Sequence, residues 1–163
     1  MIYATNGATI FIGGIMANDG HVEEAAFVGK TWVECKCLEN LGTLGDTASE
    51  LNFESINCDN GNGRMYRAKG VRNAGTMELI FALDLANAGQ AALMAAEAND
   101  QDDYAFRVVL NDAPQGGSPS ERLFAAKVGG VQEVYDAANN VMKLQVSLWV
   151  NSNIVRKPRA TAP

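Results

Sequence analysis

The sequence predicts a mainly β domain carrying a single flanking helix, and one stretch predicts it best. In TMELIFALD, residues 76–84, Met77, Leu79, Phe81 and Leu83 alternate with Glu78, Ile80, Ala82 and Asp84. In YAFRVVLN, residues 104–111, Tyr104, Phe106, Val108 and Leu110 alternate in the same way against Arg107 and Asn111. A period of two gives a pleated strand one apolar face. Between these runs the period lengthens to that of a helix, and nowhere else in the chain is there a helix signal of that quality.

The helix is expected over residues 85–99. Asn87-Ala88-Gly89-Gln90 has the form of a capping box, in which the Asn side chain accepts from an early helix N–H and the Gln reaches back. At helical spacing Leu85, Ala88, Gly89, Ala92, Leu93 and Ala96 share one side, with Asn87, Gln90, Met94 and Glu97 on the other. The contact side is mostly Ala and Gly, which lets the helix lie close against a sheet. Asn99-Asp100 ends it, because both residues favour turns.

Ahead of this unit, residues 1–29 read as an N-terminal arm with a first strand at 8–15, interrupted by Gly13-Gly14. Residues 30–38 read as one strand with Val33, Cys35 and Cys37 on one face, and 39–49 as a Gly-punctuated loop. Leu51 and Phe53 alternate with Glu50, Asn52 and Glu54 in a further strand. Residues 57–74 centre on Asn60-Gly61-Asn62-Gly63, a hairpin-turn signature, since Asn and Gly tolerate positive φ. Its arms are polar and basic with little to bury, so it is expected to project and be ordered by a partner.

Beyond the central unit, residues 111–121 (NDAPQGGSPSE) read as a mobile loop, and 122–128 and 131–136 as two strands around Gly129-Gly130. Residues 141–151 form the clearest strand, with Met142, Leu144, Val146, Leu148 and Val150 inward and Trp149 outward, either against another subunit or under a loop. Residues 152–163 are a basic C-terminal arm too poor in apolar residues to fold alone.

At 163 residues and 47% hydrophobic content, the chain fits one domain with a sizeable core. No apolar run approaches the roughly 18 residues of a spanning helix, and the N-terminus has no signal-peptide pattern, so synthesis in the cytosol is expected. Three cysteines argue against a disulfide framework. Cys35, Cys37 and Cys58 with His21 make a poor zinc set, because C-x-C is not the usual pair and nothing ties His21 to it. No cofactor or metal is expected.

The net charge of −6 is segregated. Up to Asp59 the acids face only Lys30 and Lys36, whereas Arg64, Arg67, Lys69 and Arg72 follow with no acid among them, and Arg156, Lys157 and Arg159 end the chain. This pattern serves either solubility or two opposite surfaces meeting on neighbouring copies. Enzyme signatures are missing. Gly29-Lys30-Thr31 lacks the upstream glycine of a P-loop, Glu24 standing in its place. One histidine leaves no rich acid–base set, and an exposed acidic strand explains Glu50 and Glu54 more simply than a glycosidase carboxylate pair. An acidic chain also lacks the cationic footprint of a nucleic-acid reader.

The order of elements, from KTWVECKCLENLG through GDTAS, the polar hairpin, GVRNAGTMELIFALD, AGQAALMAAE, YAFRVVLND and ERLFAAKVGGV to NNVMKLQVSLWVNSNIV, resembles the major tail tube protein of long, non-contractile-tailed bacteriophages. The resemblance covers about residues 30–155. It implies a β-sandwich or open barrel with one flanking helix, an extended hairpin loop and N- and C-terminal arms. It also implies homohexameric rings whose sheets join around a lumen and stack into a virion tail, assembled in the host bacterial cytoplasm. Phage DNA, and the tape measure protein before it, would occupy the lumen without sequence-specific binding, with tail terminator and tail-tip proteins at the ends and no membrane involved. A lumen through which DNA slides should repel phosphate, which makes Glu34, Glu50, Asn52 and Glu54 the lumen candidates. Arg64, Arg67, Lys69, Arg72, Arg156 and Lys157 are the inter-ring candidates, facing acids of the first 60 residues. The alternatives are a secretion-tube subunit like that of type VI systems, a tail terminator, or a small β-barrel ligand-binding module.

Overall fold

The computed structural model describes residues 1–54 and 65–162. An antiparallel sheet of eight strands dominates it. The strands are β1 (Thr9–Met16), β2 (Val33–Cys35), β3 (Leu38–Asn40), β6 (Thr76–Ala82), β7 (Asp103–Val109), β8 (Glu121–Val134), β9 (Lys143–Val150) and β10 (Val155–Lys157). Their order is β2-β1-β7-β8-β9-β6-β3, with β10 added to β8. β4 (Thr47–Phe53) and β5 (Tyr66–Asn73) form a separate two-stranded ribbon. Among the described residues there is one α-helix, α1, which spans Ala88–Glu97.

The path of the sheet dictates its shape. β2 and β3 are its two edges, yet only Lys36 and Cys37 separate them in the chain. The sheet must curl until its edges meet, which makes an open barrel. The single strand expected over residues 30–38 is therefore two, and the turn falls at Cys37, whose φ is +63°. Cys35 and Cys37 consequently do not share a face. Cys35 is buried, and burial, with the charge of Glu34 second, pushes its thiol up to about 12, while Cys37 is exposed. Cys58 lies outside the described residues, and among these no cluster suits a metal ion.

The inner core takes the alternating residues of every long strand. Ile10 and Ile12, Met77, Leu79 and Phe81, Phe106 and Val108, Phe124 and Ala126, and Leu144, Val146 and Leu148 all point inward, joined by Leu93 and Ala96 of α1. Burying each large side chain contributes about 1.5–3 kcal/mol. Gly13-Gly14 is a bulge in β1 that turns Met16 to the opposite face. Gly129-Gly130 is likewise no turn. β8 runs through it as one strand, with a register shift against β9, and the indole of Trp149 occupies the space a Cβ on Gly129 would need. Met142, expected inward, is exposed at the end of β9.

α1 lies against β8, β2 and β1 and seals the seam between the barrel edges. Gly89 stands where any side chain would collide with the carbonyl of Glu34, so the close approach requires glycine there. Asn87 caps the helix as expected, accepting from the Gln90 N–H at 2.9 Å. The Gln90 side chain departs from the capping box. It is fully buried, donates to the carbonyls of Lys36 (3.1 Å) and Ala82 (2.9 Å) and accepts from the Asp84 N–H (3.0 Å). One side chain thus ties the helix to the β2–β3 link and to the end of β6. Leu85, placed on the contact side by helical spacing, precedes the helix and is exposed.

Candidate assembly surfaces

The outer surface of the barrel divides in two. Over β1, β7 and the first half of β8 it is covered. The segment 17–32 brings Val22, a single 3₁₀ turn at Glu24–Phe27, and Trp32 onto Met16, Ala105, Leu123 and Ala125. The Arg107 guanidinium is held between the rings of Phe11 (4.4 Å) and Trp32 (5.1 Å), 3.8 Å from the Glu121 carboxylate. Over β6, β9 and the second half of β8, no element packs on the outer face among the described residues. Cross-strand rows Glu78–Ser147–Gly130 and Ile80–Gln145–Gln132 run across it, and the Ser147 hydroxyl donates to the Glu78 carboxylate at 2.7 Å. Trp149 adds a half-exposed indole. Its character is polar and uncharged or acidic, with the cation of Lys143 neutralised by Glu39 at 2.8 Å.

The ribbon is the second surface. Its strands pair only with each other, and every residue of β4 is exposed. Register places Leu51 opposite Ala68 and Phe53 opposite Tyr66 on one face, with Glu50 opposite Lys69 and Asn52 opposite Arg67 on the other. The sequence predicted polar arms with no apolar face. Pairing β5 with β4, whose Leu51 and Phe53 find no core, gives the ribbon one. Leu51, Phe53 and Tyr66 are 56%, 51% and 62% exposed. On the ionic face Arg67 binds Glu50 at 3.0 Å, while Lys69 and Arg72 have no ion pair among the described residues. The Asn60–Gly63 turn and Arg64 lie outside the described residues.

The arms form a third surface. β10 pairs with the start of β8, setting Arg156 opposite Arg122 and Lys157 opposite Glu121. Lys157 reaches Glu24 at 3.2 Å and Glu121 at 4.0 Å, while Arg156 is exposed. The segment expected to be a mobile loop is fastened. Asp112 accepts from the Ser120 N–H (2.7 Å) and hydroxyl (2.6 Å), which hold its carboxyl below the usual range. Ser118 and Ala160 exchange backbone hydrogen bonds, and Arg159 stacks on Tyr3 at 5.5 Å and hydrogen-bonds its hydroxyl.

The structure therefore separates the four lumen candidates. Glu50, Asn52 and Glu54 belong to or end the ribbon's β4 strand, whereas Glu34 sits on β2, paired with Phe11 on the covered side. It likewise splits the inter-ring candidates between the ribbon (Arg67, Lys69, Arg72) and β10 (Arg156, Lys157). Sequence reasoning missed the bare β6–β9–β8 face. Its signal was present in the outward series Lys143, Gln145, Ser147 and Trp149, but only strand order shows that none of the described elements covers it.

No protein-family model and no curated protein sequence matches the chain. Solved structures do. The SPP1 tail tube aligns with a TM-score of 0.58 at 14% identity over 96% of this chain and 80% of its own. The sheath/tube terminator of an extracellular contractile injection system, PVC, in its extended state aligns at 0.66, with 9% identity over 96% and 97%. The tube terminating cap of the anti-feeding prophage, AFP, aligns at 0.67, with 12% identity over 97% and 92%. The mainly β chain, with its large antiparallel sheet, matches these neighbours in fold, and the chain has the tail-tube fold.

Proposed function

We propose that this chain is a structural subunit that assembles with copies of itself into closed rings of six, stacked as the tail tube of a phage. The observation that carries the reading is the ribbon. A two-stranded hairpin with three large hydrophobic side chains in solvent is marginal on its own, and surfaces of this kind mark interfaces. The bare β6–β9–β8 face then lines the bore, with Glu78 presenting its carboxylate to passing phosphate, while Glu50, Asn52 and Glu54 belong to the ribbon they share with Arg67, Lys69 and Arg72 and serve stacking. Glu34 is assigned to the outside. Phage DNA, and tape measure protein before it, would occupy this bore, and terminator and tip proteins would close its ends. The virion tail is the place of action and the host bacterial cytoplasm the place of assembly. Assembly covers the exposed edges of the two-stranded ribbon, and head-to-tail stacking extends the ring into a tube.

A terminator is the second reading, because the PVC terminator and the AFP cap align with higher TM-scores than the SPP1 tube. Sedimentation velocity over increasing concentration separates the cases. A tube subunit gives ring-sized and then open-ended larger species, a terminator stops at one ring, and a ligand-binding module stays at 17.4 kDa.

Salt tests the electrostatic part. Lys69, Arg72 and Arg156 have no ion pair among the described residues and would meet acids of a neighbour, while Arg67 and Lys157 already have partners within the chain. Raising ionic strength from about 0.1 M to 1 M shrinks the Debye length from about 10 Å to 3 Å, so stacking should weaken without vanishing. Stacking indifferent to salt contradicts a role for these cations.

A further inference from the structure

We infer that the β8–β9 tip of one copy, residues 135–142, seats in the open barrel mouth of the next. This rests on the tube reading and names a contact between its layers that is separate from the ribbon. The mouth opens at the start of β8. Met77 and Val108 of the inner core floor a cavity of about 190 Å³ there, Leu44 and Ile154 wall it, and Arg122 and Arg156 complete its lining. The two arginines are register partners on β8 and β10. Like charges directly opposite in a sheet are destabilising, and neither arginine has an ion pair among the described residues. Glu121, next in the chain, turns instead to Arg107 and Lys157, and Arg122 donates only to the carbonyls of Glu121 (2.9 Å) and Lys157 (3.5 Å). An apolar cavity beside two adjoining guanidiniums fits an apolar group that brings carboxylates with it.

The tip has that composition. Tyr135, Val141 and Met142 are 56%, 65% and 51% exposed. Glu133 and Asp136 are exposed beside them, and Glu133 accepts from the Tyr135 hydroxyl. The cation at the base of the tip, Lys143, is already held by Glu39. β8 runs from mouth to tip: Arg122 is its second residue and Val134 its last, up to about 40 Å further on at the rise of a strand. On β6 Met77 likewise lies at the mouth, and past the other end the Leu83 N–H donates to the Met142 carbonyl at 2.9 Å. Mouth and tip thus lie at the two ends of the bare face, where successive layers of a tube lined by that face meet. Because the two surfaces differ, the contact is heterologous and repeats along the axis without closing. The cavity suits a seated side chain better than a free ligand, whose sites usually span roughly 300–1,000 Å³.

Charge exchange tests it. The mouth variant carries Arg122→Glu and Arg156→Glu, the tip variant Glu133→Arg and Asp136→Arg, and a third chain carries all four. In sedimentation velocity each two-site variant should lose stacking affinity by about thirtyfold or more, and the four-site chain should regain most of it. Melting separates docking from folding. Arg122→Glu alone sets opposite charges across β8 and β10, so it should raise the melting temperature by about 1–4 °C while still weakening stacking. If the mouth variant does not melt cooperatively, Arg156→Glu alone, at an exposed side chain, takes its place. Two-site variants that stack like the parent protein, or a four-site chain no better than either, overturn the inference and leave the tube reading standing. So does saturable one-to-one binding of octanoate to the parent with assembly unchanged, which would make the mouth a site for small anionic amphiphiles. A parent protein that never assembles overturns both readings.

Discussion

Excising the ribbon should abolish tube growth and leave the barrel folded. Thr47 and Asn73 face each other in the ribbon's register, so their Cα atoms are about 5 Å apart and a two-residue Gly linker spans the cut at its base. Everything removed lies outside the inner core: no residue of β4 or β5 belongs to it. The melting temperature should move by no more than about 3 °C, the range of a surface change in a domain of this size. Removing only residues 57–74, the boundaries the sequence gives, would instead strand β4 without its partner. Calorimetry and sedimentation of the same sample check both halves. A collapse of the melting transition would make the ribbon part of the core, and undiminished growth would deny it a role in stacking.

Gln90→Met should be among the most destabilising single substitutions of similar volume. Methionine fills nearly the same space but leaves the Asp84 N–H and the carbonyls of Lys36 and Ala82 without partners in a dry seam. An unsatisfied buried group costs about 1–3 kcal/mol, so losing several at once should cost about 3–5 kcal/mol. At about 2–4 °C per kcal/mol this lowers the melting temperature by roughly 10 °C or more. Gln90→Glu is informative beside it, because it keeps the acceptor for Asp84 and loses both donated bonds. Thermal melts of the two variants check the assignment. A Met variant as stable as the parent would mean that the seam is held by Gly89 packing and the inner core alone.

Gln90 also marks where the sequence stops being legible. The Asn87 cap is read correctly because it is local, requiring only a side chain three residues from an N–H. Gln90 is misplaced because helical spacing puts it opposite Leu93 and Ala96, and only the closing of the barrel brings Lys36 and Ala82 around it. The strands of residues 76–84, 104–110 and 141–151 are legible because one face of each is buried, which writes the period of two into the sequence. Local punctuation misleads in two opposite ways. Gly129-Gly130 looks like a turn and is a bulge beneath Trp149. Cys37 carries no turn signal and yet takes a left-handed conformation where the chain crosses from one sheet edge to the other.

The candidate site is legible in kind more than in place. The segregation of charge singles out the basic segment, but Leu51 and Phe53 read only as one face of an ordinary alternating strand, when they are the apolar face of a ribbon. A strand seeking another molecule and a strand seeking its own core have the same alternation. The fastened 111–121 segment is missed for a related reason: its order depends on Asp112, Ser120 and the returning chain at Ala160, three groups far apart in sequence.

Negative-stain electron microscopy of the concentrated, purified chain tests the central claim most directly. Copies that close around the bare face and stack through the ribbon should appear as hollow tubes, or as six-fold rings with an open centre. A field of uniform single particles about the size of one 17.4 kDa domain, unchanged at the highest concentration, would contradict it.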